Sequence, residues 1–450
     1  VAYLDTNPEK MYRRIAFILA ACCFFLSLTA KAQGGPSAMD AAEQKKVIDS
    51  VSYLLNSNYI FPDVAKKMAD HLQENYKKGA YTAITSGPGF AAQLTTDLQS
   101  ISKDKHIKVN FNPNAAAQMK KAQTGGGPAG PNLEGMKMNN FGFKELKLLP
   151  GNVGYLDLRG FVDAKWGGET AVAAMNFLGN ASALIIDLRN NGGGSPSMIQ
   201  LLTSYLYGPE PVHLNTFYFR PADQYSETWT LKEVQGKRRP DMPVYVLTSN
   251  KTFSAAEEFT YNLKNLKRAT IIGETTGGGA HPGGVVPATE RFTIFVPNGR
   301  AINPITKTNW EGTGVKPDIE VKADDALHVA QVKALEDLAA TAKGPAGAIY
   351  AWELAAVKAA KAPVTLKEET MKSLAGTYGD KIIVFEGGEL YFFPFPNQKV
   401  KLKAMTADTF ELAGIGNVRL QVFTEGGIPT AIAELFSNGN VEKHTRKKDF

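Results

Sequence analysis

Between Val244 and His281 the apolar positions change period repeatedly. Residues 244–249 form a short apolar, β-branched run of the kind a buried strand needs. From Ser254 onward Phe259, Leu263 and Leu266 fall at helical spacing, and residues 269–274 form a second buried run. A strand, a helix of about a dozen residues and another strand make a βαβ unit, which implies a parallel sheet. Upstream, residues 154–161 alternate like a strand and residues 183–187 are apolar throughout. Helices are expected over 170–178 and over 195–207, the latter with Met198, Leu201, Leu202 and Leu206 inward.

The flanks carry different rhythms. Residues 42–55 place Val47, Ile48, Val51, Leu54 and Leu55 on one helical face. Residues 63–77 and 89–101 read as two more helices, and residues 106–111 alternate as a short strand with His106 at its mouth. Residues 112–140 are rich in glycine, asparagine and proline and read as a flexible surface connection. Extended patterning with Tyr218, Tyr225 and Trp229 over 208–243 fits packing, or the wall of a substrate groove. Helices follow at 325–339 and near 350–360. From Leu366 onward short apolar runs separated by glycine and asparagine turns predict a small sandwich or barrel.

The chain has 450 residues, 44% hydrophobic and 21% charged, enough for two or three domains with sizeable cores. A net charge of +6, spread without a long basic run, gives no footprint for nucleic acid. Met11-Tyr12-Arg13-Arg14, the apolar run 15–28 and Ala30-Lys31-Ala32 before Gln33 have the layout of a secretory signal, with residues 1–10 as an upstream extension. Export to a periplasm or the exterior is the expectation. Leu19-Ala20-Ala21-Cys22 also resembles a bacterial lipobox, which would anchor the protein to a membrane through Cys22. Both cysteines, Cys22 and Cys23, lie in this segment. Cleavage after Ala32 would leave neither a disulfide nor a thiol nucleophile.

Candidate chemistry sits on the turns. Ser254-x-x-Glu257 is a capping box, sufficient by itself to explain a serine at a helix start. It also fits a nucleophile on a strand-to-helix turn, with the next amide free for an oxyanion. Gly192-Gly193-Gly194 closes the strand at 183–187, where backbone N–H groups can turn toward negative charge.

The ordered set of motifs resembles the tail-specific, or carboxyl-terminal-processing, serine peptidases and their tricorn and interphotoreceptor retinoid-binding relatives. It comprises Gly154-Tyr155-Leu156-Asp157-Leu158, then Ile185 to Gly194, Ser254-Ala255-Ala256-Glu257, Ile272 to Gly278, and Gly312 to Ile319. The resemblance covers roughly residues 40–335 and implies an α/β, crotonase-like αβα peptidase core that uses neither metal nor cofactor. The organisation it suggests is a signal with its extension over 1–32, a helical domain over 38–112, a flexible linker over 113–140 and the core over 141–340. A helical linker over 341–365 and an all-β accessory domain over 366–450 complete it. Fewer than 50 residues separate His106 from Gly154, so the tail-reading PDZ module has no room.

The resemblance makes Ser254 the nucleophile. Gly193, Gly194 and Ala255 would supply the oxyanion hole. The tail-specific branch places a lysine base in the glycine loop, but Gly279 stands there and no lysine occurs between Arg268 and Thr306. In the tricorn-like branch the base is a histidine in an Asp-x-His motif, matched by His106, with a glutamate matched by Glu311. Lys105 and Ile107 depart from the usual neighbours of that histidine. His281, on the glycine loop, is the alternative base. The substrate would be a peptide or protein. The other reading of the fold, as in the retinoid-binding relatives, is a non-catalytic module for apolar ligands or peptides.

Overall fold

The computed structural model describes residues 39–123 and 132–447. The expected signal, the lipobox cysteine Cys22 and the Gly125–Pro128 run lie outside the described residues. Three helices open the fold: α1 (Ala41–Asn58), α2 (Pro62–Lys77) and α3 (Gly87–Ser102). Asp40 caps α1 by accepting from the Glu43 amide, Pro62 occupies the first turn of α2, and Ser86 caps α3. Their apolar faces bury Val47, Val51, Met68, Leu72, Phe90 and Leu94. The same core takes in Phe292, Ile294 and Val296 from far along the chain.

The link is a sheet in which β1 (Lys108–Phe111) pairs with β10 (Phe292–Pro297), which also pairs with β9 (Gly283–Pro287). His106 therefore lies in the turn before β1, two residues ahead of the strand expected to begin with it. The stretch expected to be a flexible connection carries two helices, α4 (Pro113–Gln123) and α5 (Leu133–Met138). Asn112-Pro113 opens the stretch read as a flexible connection. It is a helix start, with Asn112 Oδ1 accepting from the Ala115 amide and proline in the first helical position.

The core is a six-stranded sheet. Its antiparallel edge is β2 (Phe143–Leu149), beside β3 (Val153–Leu158), β4 (Ala183–Asp187), β7 (Val244–Thr248), β8 (Thr270–Gly273) and β12 (Ile319–Glu320), all parallel. The central strands β3, β4 and β7 are buried on both faces because both are covered. Leu184, Ile186, Val244 and Val246 face helices α6 (Ala164–Phe177), α7 (Pro196–Ser204) and α8 (Ala255–Asn265). Ile185, Tyr245 and Leu247 face α9 (Ala323–Thr341) and α10 (Pro345–Lys361). Through Tyr350, Leu354 and Val357, α10 packs on this core. A second small sheet joins β5 (His213–Phe219), β6 (Gln224–Trp229) and β11 (Gly299–Ile302). Tyr225 and Trp229 lie exposed on its outer strand.

After α11 (Glu368–Leu374), eight antiparallel strands run in sequence order, from β13 (Gly376–Tyr378) to β20 (Val441–Thr445). The ring closes. Gly379 donates to the Thr445 carbonyl at 3.0 Å and Lys447 to the Thr377 carbonyl at 2.9 Å. Closure leaves no open strand edge, and Tyr378, Phe392, Phe410 and Ile432 fill the interior. Among the described residues, no helix is long and apolar enough to cross a membrane.

Candidate active site

Three parallel strands end on one edge of the core sheet, and the turns leaving β4, β7 and β8 meet there, as ligand sites do in open α/β folds. The turn after β4 is held by Asn191, whose side-chain amide donates to the Leu158 carbonyl at 2.9 Å. Gly193 and Gly194 adopt φ 109° and 145°. A Cβ on Gly193 would lie 2.8 Å from the Ser254 Cβ and 2.9 Å from the Ala255 nitrogen, and one on Gly194 only 2.1 Å from the Phe161 carbonyl. Only glycine admits this approach of backbone to Ser254. The two glycines are not equivalent as donors. The Gly193 amide is already engaged by Asn191 Oδ1 at 2.9 Å, which leaves Gly194 as the candidate on this turn.

Ser254 sits at φ 55°, ψ −123°, outside the extended backbone of an ordinary helix cap. A non-glycine residue held there costs on the order of 1–3 kcal/mol and persists only where its surroundings impose it. Glu257 imposes it. Its Oε2 accepts from the Ser254 amide at 2.9 Å and from the Gly279 amide at 2.8 Å, and its Oε1 from Thr276 Oγ1 at 2.5 Å and the Gly278 amide at 2.6 Å. The glutamate half of the capping box is thus present. In the other half the Glu257 amide donates to the Ser254 carbonyl at 2.8 Å, and the serine side chain makes no cap bond. Burial raises the Glu257 pKa, and the four donors oppose that rise. The Ala255 amide is the first of α8 and has no partner within the helix.

His106 packs beside this turn. Its ring lies 4.6 Å from that of Phe253, the residue before Ser254, and stacks on Phe295 at 5.6 Å. A Cβ on Gly279 would fall 2.6 Å from His106 Cε1, so the imidazole fills space that any side chain at 279 would claim. Only 9% of the side chain is exposed, and both ring nitrogens are buried without a hydrogen-bond partner. Burial pulls its pKa down to about 4, with the Asp104 charge opposing, so the ring is neutral at pH 7.

The second histidine is differently placed. His281 Nδ1 lies 2.8 Å from Asp104 Oδ2 and 3.5 Å from Glu311 Oε2. Asp104 also accepts from the Tyr59 hydroxyl at 3.2 Å and, through Oδ1, from the His106 amide at 2.9 Å. Oδ1 stands 3.7 Å from His106 Nδ1. Glu311 Oε2 accepts from the Ala280 amide at 2.5 Å, while Oε1 is buried with no partner. Burial and the Asp104 charge push the Glu311 pKa up to about 7. Ligating atoms of Asp104, His106 and Glu311 lie within 4.8 Å of one another, a set that could take a cation, although Asp104 already accepts three hydrogen bonds.

Ser254, Ala255, Gly193, Gly194, His106, His281 and Glu311 thus converge from five turns and loops. Glu257, Tyr59 and Asp104, the last present only as the first residue of the Asp-x-His motif, are residues to which sequence reasoning had given no role here. Glu257 had been read only as a cap, and Tyr59 gives no local signal because its partner is 45 residues away. Lys105, a departure from the resembled motif, donates to the Gly277 carbonyl at 2.6 Å and ties the histidine turn to the glycine loop.

Residues 152–321 match the family model for peptidase family S41, and residues 41–138 match that for the N-terminal domain of Peptidase_S41 in eukaryotic IRBP. The chain belongs to peptidase family S41. Among solved structures, a Bacteroides fragilis protein described as an S41 protease shares 26% identity over 41% of this chain and 52% of its own, at a TM-score of 0.37. This chain therefore spans about half the length of that relative. The photosystem II D1 C-terminal processing protease shares 16% identity over 63% of this chain and 94% of its own (TM-score 0.38). The tricorn protease shares 14% over 63% and 35% (TM-score 0.38).

Proposed function

We propose that this protein is a serine peptidase in which Ser254 is the nucleophile and His106 the general base. The observation that carries the reading is the state of the two histidines. His106 has two buried, unpartnered ring nitrogens beside the Ser254 turn, whereas His281 is engaged by Asp104. A neutral imidazole suits the task, because it can accept the serine proton. Attack of Ser254 Oγ on the peptide carbonyl forms the new C–O bond, and His106 receives the hydroxyl proton. The carbonyl oxygen becomes an oxyanion facing the amides of Ala255 and Gly194, donors worth roughly 3–4 kcal/mol in comparable sites. As the C–N bond breaks, His106 returns the proton to the leaving amine. Water then repeats the sequence on the acyl-enzyme and frees the carboxylate product. Glu311 balances the charge on the imidazolium.

The test is Ser254→Ala assayed on an unstructured protein substrate. Hydrolysis should fall by at least about 10³-fold with folding retained. Wild-type protein that neither cleaves nor reacts with a serine-directed fluorophosphonate probe would leave the fold as a binding module.

A further inference from the structure

The reaction as written leaves His281 without a part, although it is buried at the centre of the cluster. Facing it are Asp104, Glu311, the Tyr59 hydroxyl beyond Asp104 and the edge-on ring of Phe61 at 5.4 Å. The His106 ring shares Asp104 with it. Two buried carboxylates this close repel unless a donor stands between them. His281 Nδ1 is that donor, 2.8 Å from one and 3.5 Å from the other. The neighbouring Ala280 amide pins the same oxygen of Glu311 that His281 approaches. Both constraints therefore act on Glu311 Oε2 and leave Oε1 as the buried acceptor without a partner, in the same cluster as a histidine that has none.

We infer that His281 is a positioning residue, which spaces Asp104 and Glu311 so that a carboxylate oxygen is presented to the His106 ring, and that it exchanges no proton with substrate. This rests on the reading of His106 as the base. The geometry also explains why the glycine loop ends in Ala280-His281. One segment supplies both the amide and the imidazole that orient Glu311.

The experiment compares His281→Leu with His281→Asn, whose side-chain amide lies near the Nδ1 position. His281→Leu should lose about 10–100-fold in kcat with KM within about twofold, and His281→Asn should recover most of the loss. Should the leucine variant fail to fold, His281→Gln serves. Its amide lies nearer the Nε2 position, and it should be clearly poorer than asparagine. A second readout needs no turnover. In the Ser254→Ala background, removing the His281 ring should shift the His106 ring 15N resonances in long-range 1H–15N spectra. Full kcat in His281→Leu, or unmoved His106 resonances, overturns the positioning role. Equal inactivity of both His281 variants, with His106→Ala still active, would make His281 the base and overturn both readings.

Discussion

The peptidase core and the C-terminal barrel solve the same problem of burying strands by opposite means. In the barrel each strand meets the next in sequence, alternation separates inside from outside, and the last residues close on the first. In the core, the strands come from distant parts of the chain, the central ones are buried on both faces, and the carboxyl ends break local rules together. There the backbone holds Ser254 at positive φ, two glycines against neighbouring main chain, and His106 and Glu311 with buried atoms unpaired. Strain and unpaired polar groups persist only where surrounding structure outweighs their cost. The barrel follows the local rules and the core edge does not, so chemistry is expected at the core edge.

The strongest way to break that contrast is to remove Glu257. Glu257→Ala leaves the Ser254, Gly278 and Gly279 amides and the Thr276 hydroxyl without their acceptor. Unfolding free energy should drop by about 3–5 kcal/mol. Hydrolysis should vanish even at temperatures where the protein stays folded. Denaturant titration beside a peptidase assay measures both; retained activity would mean that the turn holds itself.

Glu311→Gln sharpens the comparison more gently. The wild-type carboxyl, pushed up to about 7 from 4.5, keeps in the folded protein a proton that the unfolded chain releases. Stability therefore falls as pH rises from about 4.5 to about 7. Glutamine removes this loss, so at pH 8 the variant should gain up to about 3 kcal/mol over wild type, and nothing at pH 4. Activity moves the other way, because only the ionised carboxylate balances the imidazolium. Wild-type kcat/KM should climb as pH passes through about 7. The variant should lose about 10²-fold and that climb with it. An unchanged pH profile would remove Glu311 from the site.

The smallest effect on catalysis is expected in the barrel. Phe392 is wholly buried there, and Phe392→Ala should destabilise the barrel by about 3–5 kcal/mol. Calorimetry should register that loss, while kcat/KM at 25 °C stays within about twofold of wild type. A parallel fall in rate would show that the barrel supports the site.

Much of this was readable along the chain. The βαβ unit at 244–274, the three opening helices and the β-rich end follow from the period of apolar positions, because each element's burial is written into its own residues. The seven candidate site residues were named through the family resemblance, which matched Ser254, His106 and Glu311 to its motifs, with His106 expected at the start of a strand. Other features were not local. The strand pairing Val109↔Ile294 draws the N-terminal helices into one core with residues from beyond the peptidase turns. The connection expected at 112–140 begins instead with a helix, because Asn112-Pro113 fits both a turn and a helix start, and only the packed helix decides.

The two histidines mark the boundary most clearly. Sequence alone could establish that the glycine loop after a serine on a strand-to-helix turn carries no lysine between Arg268 and Thr306, and that two histidines remain to draw on. Choosing between them takes distances across 177 residues of chain, from Asp104 to His281, and 172 from Lys105 to Gly277. Periodicity records which side of an element is buried, but a hydrogen bond between loops depends on where separate elements place those loops. That placement left His106 unpaired beside the serine turn and set His281 between two carboxylates.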